Sequence, residues 1–267
     1  MSDLRFYQLS RDPFDKSLAA SEALETRDLR EACGRLDFLA RAGGVGLLTA
    51  QPGFGKTFAV RRWAAGVPRD VAVSYLCLTT VTTMEFYRQL CMCLSLEAGY
   101  KKVDMFRTIQ RHLRHQATEK RVRSVVVVDE AQYLSGAILR DLTMLTNFDM
   151  DSRSCVAFAL VGQPYTADVL CRGVHEALRQ RIVASYAFSG LDESEAREYV
   201  ASMLRAAGGS PDIVSEPAVL AAHGISGGSV RRLGTVLSMA LRIGAQERAP
   251  QVDAEMVMAA SQEVALR

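Results

Sequence analysis

Apolar positions recur at three- and four-residue spacing between residues 18 and 41, with Leu29, Cys33, Leu36, Leu39 and Ala40 on one face. That spacing predicts an amphipathic helix. A glycine pair then opens "GGVGLLTA", a short apolar run of strand length. Apolar and polar positions alternate in "VAVSYLCL" (71–78), whereas "SVVVVDE" (124–130) and "CVAFALVG" (155–162) are apolar almost throughout. Alternation marks a strand with one covered face, and unbroken β-branched runs mark strands buried on both faces of a parallel sheet. "RIVASYAF" (181–188) supplies a fifth strand. Helical spacing returns between the strands: from about Lys56 to Ala65, Met84 to about Leu96, about Val103 to Thr118, and Leu139 to Phe148. Strand and helix in alternation predict an α/β fold, a five-stranded parallel sheet with helices on both faces.

Beyond residue 190 only helical patterns remain. Asp192 with Glu195 three residues on reads as a capping box. Helices are predicted over 192–207, about 216–222, 229–246 and 252–265. The expected division is an N-terminal extension and helix (1–41), an α/β domain (42–190) and a small helical lid (191–267).

Composition adds limits. With 49% apolar and 23% charged residues among 267, the chain can bury an ordinary core. The opening residues lack the apolar centre of a signal peptide, and no stretch reaches the roughly 18 apolar residues of a membrane span. The expectation is a cytoplasmic protein without a membrane partner. Six scattered cysteines (Cys33, Cys77, Cys91, Cys93, Cys155, Cys171) read as reduced, mostly buried thiols.

"TAQPGFGKTF" follows the first strand and opens a helix. A phosphate-binding loop needs backbone amides converging on phosphate oxygens, a lysine at the outer phosphates and a hydroxyl for Mg²⁺. Ala50, Gln51, Pro52, Gly53, Phe54, Gly55, Lys56, Thr57 and Phe58 fit that frame. Ala50 departs from it, since the motif opens with glycine; a negative φ there would make the methyl group tolerable. The other half of such a site is an acidic residue ending a buried strand. "VVVVDE" provides Asp129, expected to hold Mg²⁺ with Thr57, and Glu130, expected to polarise the attacking water. A nucleoside triphosphate with Mg²⁺ is therefore the expected ligand, and the resemblance that follows implies ATP.

"TAQPGFGKT", "VVVVDEAQYL", "LTNFDMDS", "LVGQP", "LRQRI" and "GGSVRRL" occur in the order found in AAA+ ATPases, and "FYQLSRDPF" is similar to the opening of ExeA-like proteins. The chain most resembles the ExeA/TniB/MuB/TnsC-like group, which includes bacterial transposition helper ATPases. The resemblance implies a first-sensor role for Gln163. It implies an arginine finger at Arg181, with Arg179 second, reaching the γ-phosphate of a neighbouring subunit. Arg231, with Arg232 as fallback, matches the second sensor. A finger in trans implies a homo-oligomer, a ring or a helical filament.

Net charge is only +2, so attraction to a polyanion must be local. Residues 101–123 carry eight basic and two acidic side chains, a net +6, leaving −4 for the rest of the chain. Arg107, Arg111 and Arg114 recur on one helix face. In the transposition helpers, double-stranded DNA meets the segment after the second strand and the start of the basic hairpin. By that resemblance the contacts here are Thr79, Thr80, Thr82, Thr83, Tyr100, Lys101, Lys102 and Arg107, to phosphates and without sequence preference. The implied role is a target selector or activator for a transposase. Two rivals stand beside it: a partner-remodelling ATPase of the secretion type that never touches DNA, and a nucleotide-operated scaffold with little hydrolysis. ExeA-like secretion ATPases carry a membrane segment and an envelope domain, neither of which is read here before Arg267, and that favours the first reading.

Overall fold

The computed structural model describes residues 5–15, 24–77 and 82–265. The chain divides into two compact units: residues 31–51 with 56–188, and residues 1–30, 52–55 and 189–267.

The first unit holds five parallel strands among the described residues: β1 (Gly44–Thr49), β2 (Val71–Cys77), β3 (Arg123–Asp129), β4 (Val156–Gly162) and β5 (Ile182–Ala187). They lie in the order β2-β3-β4-β1-β5. Val125 to Val128 are wholly buried, as is nearly all of β4. Each buried valine contributes about 1.5 kcal/mol or more, so β3 and β4 hold the centre of the sheet. The edge strand β2 alternates instead, with Tyr75 44% exposed. Around the sheet run α1 (Arg27–Ala42), which begins in the other unit, then α2 (Lys56–Gly66), α3 (Thr83–Cys93), α4 (Lys102–Thr118), α5 (Gly136–Leu145), α6 (Tyr165–Leu170) and α7 (Glu176–Arg179). Phe86, Tyr87, Leu90, Ile109, Leu113 and Ile138 are among the buried side chains of this core.

Several predicted boundaries move. The first helix begins at Arg27, because residues 24–26 are not helical, and residues 16–23 lie outside those described. The helix expected over 139–148 lies three residues earlier, since Ser135 caps it by accepting from the Ile138 amide. Phe148 falls instead in a turn whose Asp149, Met150 and Asp151 all have positive φ. The cysteines are less buried than expected. Only Cys91 and Cys155 are buried, while Cys77 and Cys171 are exposed.

The second unit packs α8 (Glu193–Ala206), α9 (Glu216–Ser226), α10 (Val230–Gln246) and α11 (Ala254–Ala265) about Val200, Leu204, Leu233, Leu237 and Leu241. Asp192 and Glu195 form the predicted capping box. α9 runs beyond the expected end near residue 222 and stops at Gly227, whose φ of 58° closes it. The N-terminal segment belongs to this unit: the Tyr7 hydroxyl donates to the Ala249 carbonyl (3.0 Å), and Ser10 Oγ donates to Ala207 O (2.8 Å). Buried Asp28 accepts from the amides of Ser189 (3.1 Å) and Gly190 (2.8 Å) and so fixes the segment after β5.

Candidate functional site

In a parallel sheet every strand delivers its C-terminal end to the same edge. Thr49, Asp129 and Gly162 end β1, β3 and β4, with β4 between the other two. Ala50 continues this edge. Its amide donates to the Gly162 carbonyl (3.0 Å), it is 1% exposed, and its φ is not positive. The position therefore does not need the conformational freedom of glycine, and the methyl group is accommodated. The inner positions differ, since Gly53 (φ 87°) and Gly55 (φ 90°) take left-handed conformations that a side chain would strain.

Lys56 and Thr57 open α2. Lys56 is 7% exposed and makes no hydrogen bond or ion pair among the described residues. Thr57 Oγ1 donates to Asp129 Oδ2 (2.9 Å). The Asp129 carboxylate, 2% exposed, also accepts from the Tyr75 hydroxyl (2.7 Å) and, through Oδ1, from the Glu130 amide (2.8 Å). Burial and the bond to Asp129 push the Tyr75 phenol well above the usual tyrosine range. Glu130 leaves the strand with φ 55°, a left-handed turn that a non-glycine residue adopts at a cost.

Gln132 connects these groups. Its Nε2 donates to Glu130 Oε2 (2.5 Å), and its Oε1 accepts from the Gln163 amide (3.1 Å). The two bonds together fix which end of the amide points where. Gly162 makes room for it, because a Cβ there would stand 2.4 Å from Thr166 Oγ1 and 3.1 Å from Gln132 Oε1. Sequence reading passed over Gln132 and Tyr75. The available signal for Gln132 was its amide two positions after the acidic pair; for Tyr75 there was none, since its partner is 54 residues away.

The remaining candidates lie elsewhere. Arg181 is at the opposite end of the sheet: its carbonyl accepts from the Val45 amide (2.9 Å) at the start of β1. Five strand residues, about 16 Å at 3.3 Å each, separate that point from Ala50. Arg181 makes a two-point pair with Asp151 (2.6 and 3.0 Å), and Arg179 donates to Cys171 O (3.1 Å). In the helical unit, Arg231 is exposed at the start of α10, and its amide donates to the Gly53 carbonyl (3.2 Å).

Several expected DNA contacts are engaged within the chain. Thr79 and Thr80 lie outside the described residues. Thr82 caps α3 and shares a capping box with Glu85, whose carboxyl is held below its usual range chiefly by the Thr82 amide and hydroxyl. Thr83 is the first residue of α3. Lys102 Nζ binds Asp141 (2.8 Å to Oδ1), and Arg114 binds Asp149 (2.9 Å). Tyr100 is 94% exposed, and Lys101, Arg107 and Arg111 are exposed without partners among the described residues.

The strand order, the glycine loop after β1 and the acidic end of β3 together define the P-loop AAA+ fold, a nucleotide-binding fold. Residues 40–170 match the family model described as an AAA domain, and the chain carries an AAA+ domain. Among curated proteins it is 31% identical over 242 residues to General secretion pathway protein A of Aeromonas hydrophila. That match takes in 89% of this chain and 44% of the relative, so the chain spans less than half the relative's length. Among solved structures it is similar to Cdc6p from Pyrobaculum aerophilum (TM-score 0.72, 16% identity, 96% of this chain and 72% of that one). It is also similar to the Drosophila ORC bound to DNA (TM-score 0.71, 20% identity, 97% and 66%). At these identities the two structural likenesses are of fold. No helix among the described residues is long and apolar enough to cross a membrane.

Proposed function

We propose that the chain is an Mg²⁺-dependent ATPase that works as a homo-oligomer on a macromolecular partner. The observation that carries the nucleotide part is Lys56, an almost fully buried ammonium at a helix start with no counter-charge among the described residues. A buried unpaired charge is costly, and a phosphate at the helix N-terminus relieves it. Thr57 and Asp129 offer hard oxygen donors in mutual contact, a set that suits Mg²⁺ better than a softer metal. When bound, that ion supplies charge neutralisation at the outer phosphates. Glu130 orients the attacking water, and Gln163, whose side chain has no partner among the described residues, senses the γ-phosphate from the end of β4. Arg181 or Arg179 acts on the neighbouring subunit's nucleotide, because neither end of β1 reaches the other. Arg231 is the second sensor. The checks are ATP affinity and turnover: Lys56→Ala loses binding, and Glu130→Gln keeps binding and slows turnover at least tenfold. Normal turnover in Glu130→Gln rejects the role given to that carboxylate.

The partner we favour is duplex DNA, held without sequence preference through Tyr100, Lys101, Arg107 and Arg111. Their exposure and lack of partners support this, as does the likeness in fold to a structure described as bound to DNA. The finer role of serving a transposase rests on the sequence resemblance. A second reading, a protein partner, is favoured by two observations: Thr82, Lys102 and Arg114 are engaged within the chain, and the curated relative is a secretion-pathway protein. Fluorescence anisotropy of a labelled random duplex, with and without a non-hydrolysable ATP analogue, separates the two. The DNA reading requires ATP-dependent binding whose salt slope flattens in Lys101→Ala with Arg107→Ala. Absence of binding throughout leaves the protein-partner reading.

A further inference from the structure

The N-terminal ends of the strands form an edge that the nucleotide does not use, and a cleft of about 270 Å³ opens there. Arg41, from the last turn of α1, Arg121, between α4 and β3, and Arg123, at the start of β3, line it together with Ser124 and Ser154. Arg123 is paired with Asp70. Arg41 and Arg121 are exposed and make no hydrogen bond or ion pair among the described residues.

Arginines near helix C-termini often do no more than answer the helix dipole. Here the α4 carbonyls of His115 and Gln116 are already taken by the amides of Lys120 (3.3 Å) and Val122 (2.9 Å). Arg121 also has φ 54°, a conformation that glycine adopts at far lower cost. The wall of the cleft is polar as well. Ser124 is 6% exposed, and its hydroxyl has no partner among the described residues. The hydroxyl of Ser154 makes only a 3.5 Å approach to the Val156 carbonyl. Two serine hydroxyls in a cleft lined by three arginines fit a bound acceptor.

We propose that this cleft is a second anion site, taking a phosphate or pyrophosphate group. The volume lies below the range of organic-ligand pockets. Guanidinium groups match phosphate oxygens in two-point geometry, and the serine hydroxyls donate to the remaining oxygens. The site is separate from the nucleotide loop, because Ser124 and Asp129 stand towards opposite ends of β3, about 16 Å apart at strand spacing. The phosphate belongs either to a small phosphorylated molecule or to a nucleic-acid backbone.

Calorimetric titration of the full chain with pyrophosphate tests this. The wild-type chain takes two equivalents, Lys56→Ala takes one, and Arg41→Gln with Arg121→Gln also takes one. In the Lys56→Ala background, either arginine substitution alone weakens binding roughly tenfold or more. Asp70→Asn tightens it by releasing Arg123, an outcome that loss of folding cannot mimic. Displacement of pyrophosphate from Lys56→Ala by a short unphosphorylated duplex assigns the site to a nucleic-acid backbone, and failure to displace assigns it to a small molecule. A single equivalent that Lys56→Ala abolishes overturns the proposal. So does a second equivalent that survives in the double arginine variant while circular dichroism shows both proteins folded.

Discussion

Replacing Gln132 with leucine keeps much of the side-chain volume and removes both ends of the amide link. In the structure that amide donates to Glu130 at 2.5 Å and accepts from the Gln163 backbone at 3.1 Å. A hydrogen bond to a charged group is worth about 1.5–3 kcal/mol. If that energy holds Glu130 in its turnover geometry, kcat falls about ten- to 150-fold, with KM for ATP within about threefold of wild type. The assay is steady-state phosphate release, run also in the Glu130→Gln background. Because Gln132 acts through Glu130, its removal there costs little more, and the two losses do not add. Gly162→Ala, which pushes a methyl group towards the Gln132 carbonyl oxygen, reproduces the loss in weaker form. Unchanged kcat in Gln132→Leu, or an equal loss in both backgrounds, refutes the reasoning.

Asp151→Asn frees Arg181 from its two-point pair; if that pair restrains the finger, ATP turnover rises a few-fold at fixed protein concentration, and an unchanged rate removes the restraint. Lys102→Ala leaves the half-buried Asp141 carboxylate without its partner and costs about 1–2 kcal/mol in urea denaturation, with little change in DNA affinity if Lys101 and Arg107 carry the contact. His175 is buried with Nδ1 unpartnered among the described residues, and burial, with Arg140 and Arg172 adding, holds its pKa below the usual value. The unfolded chain therefore takes up the proton first, and stability drops as pH falls below about 6.5. His175→Gln flattens that limb, as thermal melts across pH 5–7.5 would record.

The fold was legible because its signals are local. Four valines in a row, a glycine loop between a strand and a helix, and Asp192 with Glu195 each lie within a few residues. Contacts between distant residues were not legible. The ties of Lys102 to Asp141, Arg114 to Asp149 and Arg181 to Asp151 span 30 to 39 residues, and no periodicity reveals them. Counting charge in residues 101–123 therefore overstated the free positive surface. The helix around Leu139 begins three residues before its apolar spacing suggests, because Ser135 caps it. The ease with which Ala50 sits in the loop depended on its φ, which no composition or pattern discloses.

If Arg181 is the finger proposed above, its separation from Ala50 along β1 has a kinetic consequence. A chain that cannot deliver its own arginine to its own nucleotide has a rate law of higher than first order in protein when dilute. Its specific activity then climbs with concentration until assembly saturates. In a mixed population each finger-deficient copy silences one junction, the one where its arginine is due, and still lends its own nucleotide pocket to the next. Activity would then fall in proportion to the fraction of defective copies if junctions work independently, and more steeply if they fire in concert.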